Sequence, residues 1–261
     1  MISGPLDLIP LWLIMPLTMI VSLLALETGY KSGIWRHSRA ADEKEAPVAA
    51  MAAAVLGLLA FMLAFTFSMA ASRFDARRQA VLEEANAIGT SRLRSRLLAE
   101  PQRSKMTELL RRYTEIRAQK LTSENLAHVL AESETLHEQI WQQAVVSAES
   151  DPHSIMTGLC LESLNETIDL HAKRVYAGLN SRIPITIWLA LLALVMLGMF
   201  SLGYQSGISA TRRSLGMPIF TLAFSGVLYL IVDLDRAHEG LMQVSQEAMI
   251  RLRDSMLTTT P

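Results

Sequence analysis

Four stretches of this chain carry no charged residue over the length a helix needs to cross a membrane. They are Leu8–Leu26, Ala46–Ser72, Ile183–Thr211 and Ser214–Val232. Each meets the roughly 20-residue requirement of a hydrocarbon core about 30 Å thick. One such run would also suit a buried core helix; four together specify membrane spans. The mean hydropathy of +0.27 agrees, with the apolar excess in Leu, Ala, Met and Ile rather than aromatics. The N-terminal stretch MISGPLDLIPLW has no Lys or Arg and so lacks the basic region of a secretory signal, which makes the first run a retained span. Pro10, Pro16 and Pro218 start or kink spans, which neighbouring helices can accommodate.

The spans come in two pairs, joined by the short basic loops KSGIWRHSRAADEKEA and SATRRS. A polar region, Arg73–Arg182, separates the pairs, and a polar helical tail, Asp233–Pro261, follows the last span. This topology puts the polar region and both termini on one side of the membrane. Within the polar region, Leu109-Leu110, Tyr113, Ile116 and Leu121 recur near helical spacing. So do Leu126, Val129-Leu130, Leu136 and Ile140-Trp141, then Leu159, Leu161, Leu164, Ile168, Val175 and Leu179. Glu100-Pro101 and Asp151-Pro152 break the pattern. The fold class expected is an all-α integral membrane protein: four transmembrane helices with a helical extramembrane module between spans two and three. Domain limits are 1–72, 73–182, 183–232 and 233–261.

Charge is segregated in the module. Arg73–Lys120 is rich in Arg and Lys, while Leu121–Ala172 contains acids and no Lys or Arg. Basic and acidic helices pair with each other, within or between subunits; alternatively, the basic segment concentrates anions at a mouth.

From Leu58 to Ile88 there is neither Gly nor Pro. A helix over this stretch is about 46 Å long, well beyond the hydrocarbon, so the second span should continue out of the membrane as a rod. Its membrane half has two unlike stripes. Ala53, Gly57, Ala60, Ala64, Ser68 and Ser72 are small and permit close helix approach. Leu59, Leu63 and Phe67 are bulky and repeat every four residues. A bulky stripe can face lipid, a neighbouring span or, in an oligomer, a central axis where it would gate ions by dewetting.

The stretch FTFSMAASRFDARR resembles the second span of bestrophins, with Phe67, Ala71-Ser72, Phe74, Asp75 and Arg77 matching their pattern at the membrane exit. The whole chain is similar to the bacterial bestrophin-like four-span family, in LETGYKSG (Leu26–Gly33), RFDARRQAVLEEANAIGT (Arg73–Thr90), RIPITIW (Arg182–Trp188), LGYQSGISATRR (Leu202–Arg213) and LIVDLDRAHEGLMQVSQ (Leu230–Gln246). The resemblance implies a homopentameric channel passing inorganic ions, chloride first, with the second span lining the pore. It implies a constriction at Leu59, Leu63 and Phe67, and a pore-exit junction at Ser72, Arg73, Asp75 and Arg77; Glu83 and Glu84 continue the rod and face the ions if it lines a vestibule, although a solvated or salt-bridged helix face is commoner for such groups. The paired Trp of bestrophins is absent, Ala76 and Arg77 standing there, and so is the acidic calcium-clasp run after the last span, so calcium gating is not implied.

Asp233, Asp235 and Arg236 end the last span as an ion site or, more commonly for such groups, as salt-bridge partners of Arg73, Arg77 or Arg78. The histidines show no HExxH spacing and Cys160 has no CxxC partner; His128, His137 and His171 could meet in space, but no metal site and no cofactor are expected. No GxSxG, Walker or GxGxxG stretch supports enzyme chemistry. The expected partners are the lipid bilayer, further copies of the chain and ions, with no nucleic acid. The rival readings are a non-conducting membrane sensor or scaffold, and a cation channel of the same architecture. Lys and Arg counts in the short loops, Lys31–Lys44 and Arg212-Arg213, place the module outside the cell. The resemblance places it in the cytoplasm, with the chain in a bacterial inner membrane.

Overall fold

The computed structural model describes residues 8–39, 45–122, 124–209, 216–236 and 240–258. They form eight helices and no strand: α1 (Leu11–Arg39), α2 (Glu45–Ser95), α3 (Gln102–Arg117), α4 (Leu126–Ser150), α5 (Ile155–Leu179), α6 (Ile185–Ile208), α7 (Gly216–Asp235) and α8 (Glu247–Thr258). The protein is an all-α integral membrane protein: α1, α2, α6 and α7 are each long and apolar enough to span. The chain forms two compact units. The membrane unit holds the chain up to Arg73 and Arg182–Met242; the helical module holds Phe74–Ser181 and Gln243–Pro261. Helix α2 is one continuous element of 51 residues that contributes to both, and the Gly- and Pro-free stretch Leu58–Ile88 within it offers no break where it passes from one to the other.

In the membrane unit, α1 runs further than the uncharged stretch indicates. The segment KSGIWRHSR, expected to open a loop, forms its last turns to Arg39; Lys44, Arg212 and Arg213 lie outside the described residues. The reason is packing against α6. A Cβ on Gly29 would sit 2.1 Å from the Phe200 carbonyl oxygen, and one on Gly203 would sit 2.0 Å from that of Leu26. Gly33 and Gly207 meet in the same way: a Cβ added to either would stand 2.9 Å from the other's Cα. Residue numbers rise together along the contact, so the helices are parallel. The facing strips are alike in sequence, GYKSGI at Gly29–Ile34 and GYQSGI at Gly203–Ile208. Small residues spaced four apart let backbones touch where apolar side chains gain nothing over lipid.

The module buries Ile88 of α2, Met106, Leu110 and Tyr113 of α3, Val129, Leu136 and Ile140 of α4, and Cys160 and Leu164 of α5. Fully burying such a side chain contributes about 1.5–3 kcal/mol. The tail belongs to the same core, with Met249 and Met256 of α8 buried in it. Helix breaks fall at the two X-Pro steps, and Ser154 starts α5 by accepting a hydrogen bond from the Thr157 amide at 3.3 Å. The apolar periodicity expected for α5 matches its buried face only in part, through Leu164 and the half-buried Leu161. Leu159 is exposed, and the inner stripe is Thr157, Cys160, Leu164, Thr167, His171 and Arg174.

Gly203→Val should weaken the α1–α6 contact by about 1–3 kcal/mol, as overpacking does. Gly226→Ala, with no atom within 4 Å of its added Cβ, should not. Thermal unfolding of the two variants in one detergent checks the difference.

Candidate functional site

The faces of α2 decide which residues can meet anything outside the chain. Leu59 and Leu63 are 0% and 5% exposed, and Thr66 and Ala70 are buried with them. Leu59 lies against Gly198 of α6, its Cδ2 3.5 Å from where a glycine Cβ would stand. Leu59 and Leu63 are therefore core residues of the membrane unit, so the bulky stripe faces a neighbouring span at these two positions, and of the three residues of the implied constriction Phe67 is the exposed one. Phe67 is exposed, on a groove that it lines with Ala60, Ala64 and residual Leu63 surface against Phe224 and Val227 of α7. Opposite the buried face stand Leu58, Phe61 at 65% exposure and Phe65 at 55%. Their row continues along the helix through Ser68, Ser72 and Asp75, all exposed. A stripe of leucines reads the same in sequence whether it faces a neighbour or an axis. The contact with α6 was not visible there.

Asp233, Asp235 and Arg236 form a staple at one end of the membrane unit. The Asp233 carboxylate accepts the amides of Leu241 at 2.9 Å and Met242 at 3.1 Å. Gly240, at φ +110°, gives the turn that lets the chain pass so close. Asp235 accepts the Ile183 amide at 3.0 Å and lies 3.8 Å from the Arg73 guanidinium. Arg182 donates to the Asp235 carbonyl, and Arg236 to the carbonyl of Ile9. These groups tie chain segments together, and Asp235 lies beside Arg73, one of the salt-bridge partners expected as the commoner alternative to an ion site.

In the module, Asp75 is exposed while Arg77 is only 4% exposed and so is not an open exit residue. Glu83 pairs with Lys173 at 2.7 Å, which holds its carboxyl below the usual range. Glu84, expected to face a vestibule or solvent, is fully buried instead. It accepts from Arg117 Nε at 2.9 Å and Nη2 at 3.2 Å, from Arg174 Nη1 at 2.6 Å and from the Tyr113 hydroxyl at 2.6 Å. Burial alone would raise the Glu84 carboxyl, but the charge of Arg174, the contact with His171 and Arg117 outweigh it and hold it well below the usual range. Burial, and then the Glu84 charge, push Tyr113 well above its usual value. His171 Nδ1 lies 3.0 Å from the Tyr113 oxygen, and Arg174 also donates to Gln246 at 2.7 Å. His137 and His171 do meet, with ring centroids 4.7 Å apart; His128 is exposed beside Glu132 and takes no part. No group of residues suited to a metal occurs among the described residues.

The bestrophin-like domain family matches residues 19–249. Among solved structures, a variant of a bacterial bestrophin homologue from Klebsiella pneumoniae superimposes with a TM-score of 0.66 at 16% identity, over 95% of this chain and 98% of that one. A second variant of that homologue gives 0.65 at 18% identity, over 95% and 97%. A structure described as a membrane protein gives 0.66 at 16% identity, over 95% and 97%. No curated protein sequence matches the chain.

Replacing Glu84 by Gln leaves two buried guanidinium groups without a counter-charge and should destabilise the module by about 3–5 kcal/mol, the cost of breaking a buried ion pair. Urea titration of the variant beside wild type, followed by helix signal, checks it. A depressed carboxyl also means that this stabilisation is present above the unfolded value near 4.5 and is lost as the pH falls through the lower folded one.

Proposed function

This chain belongs to the bestrophin-like family, and we propose that it is a homo-oligomeric ion channel, built as a pentamer around the outward face of α2. The observation that carries this reading is the exposure of Phe61 and Phe65 on the face of α2 opposite its contact with α6. Two exposed Phe on a span that packs its other side so well are accounted for if copies of α2 surround an axis. Phe61 and Phe65 then form an apolar neck that dewets and limits conduction, the role expected in sequence of Leu59, Leu63 and Phe67. Oligomerisation is supported by charge. Lys105 and Arg112 of α3, and Glu134 and Glu138 of α4, are all exposed and complementary in sign, as suits contacts between copies.

For ion sign, the basic segment of the module argued for chloride. Part of that charge is already engaged: Arg117 holds Glu84 at 2.9 Å, Arg94 pairs with Glu162 at 3.1 Å, and Arg111 sits 2.7 Å from Glu108. The charged residue in the outward row of α2 is Asp75. A ring of carboxylates favours cations, so monovalent cations are the better reading, with chloride as the alternative. No covalent chemistry is part of the proposal.

Ion flux into proteoliposomes tests it. Phe61→Ala/Phe65→Ala should raise flux by about tenfold or more, since about 1.4 kcal/mol off a barrier is tenfold in rate. Leu59→Ala/Leu63→Ala should lower stability without that gain. Asp75→Asn should shift permeability towards anions. No flux from folded wild type or from the Phe variant would favour a non-conducting sensor or scaffold.

A further inference from the structure

The buried cluster of the module brings together groups from four helices: Glu84 of α2, Tyr113 and Arg117 of α3, His137 of α4, and His171 and Arg174 of α5, with Gln246 beside them. Its protons can be placed by elimination. The carboxylate only accepts, so the Tyr113 hydroxyl spends its single proton on Glu84. The Tyr113 oxygen can then only accept from His171, which must carry its proton on Nδ1. Glu84 is matched by two guanidiniums, so with neutral histidines the cluster already holds one surplus positive charge.

His137 is the exception in this network. Its ring packs on Tyr113, centroids 4.7 Å apart, and edge-on against His171 at 4.7 Å and 89°. Its Nε2 is buried with no hydrogen-bond partner. The other members are held to each other by hydrogen bonds or ion pairs, whereas α4 contributes to the cluster a ring held by contact alone. A proton on Nε2 would need an acceptor, which the closed packing does not offer, and would add a second surplus charge near Arg117 and His171.

We propose that this cluster is a proton-binding site in which uptake of a proton by His137 releases α4 from α3 and α5. The energetics run in the required direction. Burial, and then the neighbouring His171, hold His137 down to about 4 in the closed module, against about 6.5 for a solvated imidazole. The open form therefore binds the proton first, and closed packing is favoured above about pH 6.5 and loses ground as the pH falls towards 4. A gap of that size multiplies the open population by up to about two orders of magnitude. The site stands whether or not the chain conducts ions, because its readout is the packing of α4.

Amide hydrogen exchange of the full chain in lipid nanodiscs, corrected for the intrinsic pH dependence of exchange, tests the proposal. Protection of α4 should fall by about tenfold or more between pH 7 and pH 5 in wild type. His137→Phe keeps a ring against Tyr113 and removes Nε2, and it should leave α4 protection flat over that range. Flat protection in wild type, or an equal fall in His137→Phe, overturns the site. Exchange of the imidazole C2 proton in wild type reads the His137 midpoint directly. A midpoint well below 6.5 is expected, and one at or above 6.5 overturns the proposal without any variant.

Discussion

Lipid supplies no hydrogen bonds, so a chain crossing it must satisfy its own backbone, and the second span of this protein does so without interruption for 51 residues. The rest depends on how that helix divides its faces. In the membrane unit, Leu59, Leu63 and Ala70 are buried and the Phe61–Phe65 side is left open. In the module, the same helix buries Glu84 and Ile88. Neither face is marked by composition alone.

Each unit is held together internally by a contact suited to its surroundings. In the membrane unit the strongest constraint is geometric: four glycines of α1 and α6 bring backbone to backbone, where a single Cβ would collide with a carbonyl oxygen. In the module it is electrostatic. Glu84, Arg117 and Arg174 are at most 7% exposed, so each needs the others to offset its desolvation. Such an ion cluster fixes which helices pack together more than it adds stability, because an apolar core of the same volume would do as well or better energetically.

Spans, helical module and Pro-marked breaks were legible in the sequence because each has a one-dimensional signal: uncharged length, apolar period or a ring that cannot continue a helix. The reach of α1 to Arg39 was partly legible. Gly29 and Gly33 are spaced for helix contact, but they sit among Lys31, Arg36 and His37, which read as loop. The inner stripe of α5 was legible only in part, since Thr167, His171 and Arg174 count as polar until Glu84 and Ser91 are seen to meet them. The division among the constriction residues was hidden for the complementary reason. Leu59–Leu63–Phe67 and Leu58–Phe61–Phe65 are both bulky rows on one helix, and only the position of α6 separates core from surface.

Which row of α2 faces other copies decides where a pore would lie, and oxidative cross-linking of single cysteines reads that directly. In a Cys160→Ser background, cysteines at Leu59, Phe61, Leu63 and Phe65 would be oxidised in the membrane and resolved as subunit ladders. Cross-linked subunits are expected from positions 61 and 65 and none from 59 and 63. Ladders from 59 and 63 instead would mean that the buried leucines line the axis, and the assignment of faces on α2 would be wrong.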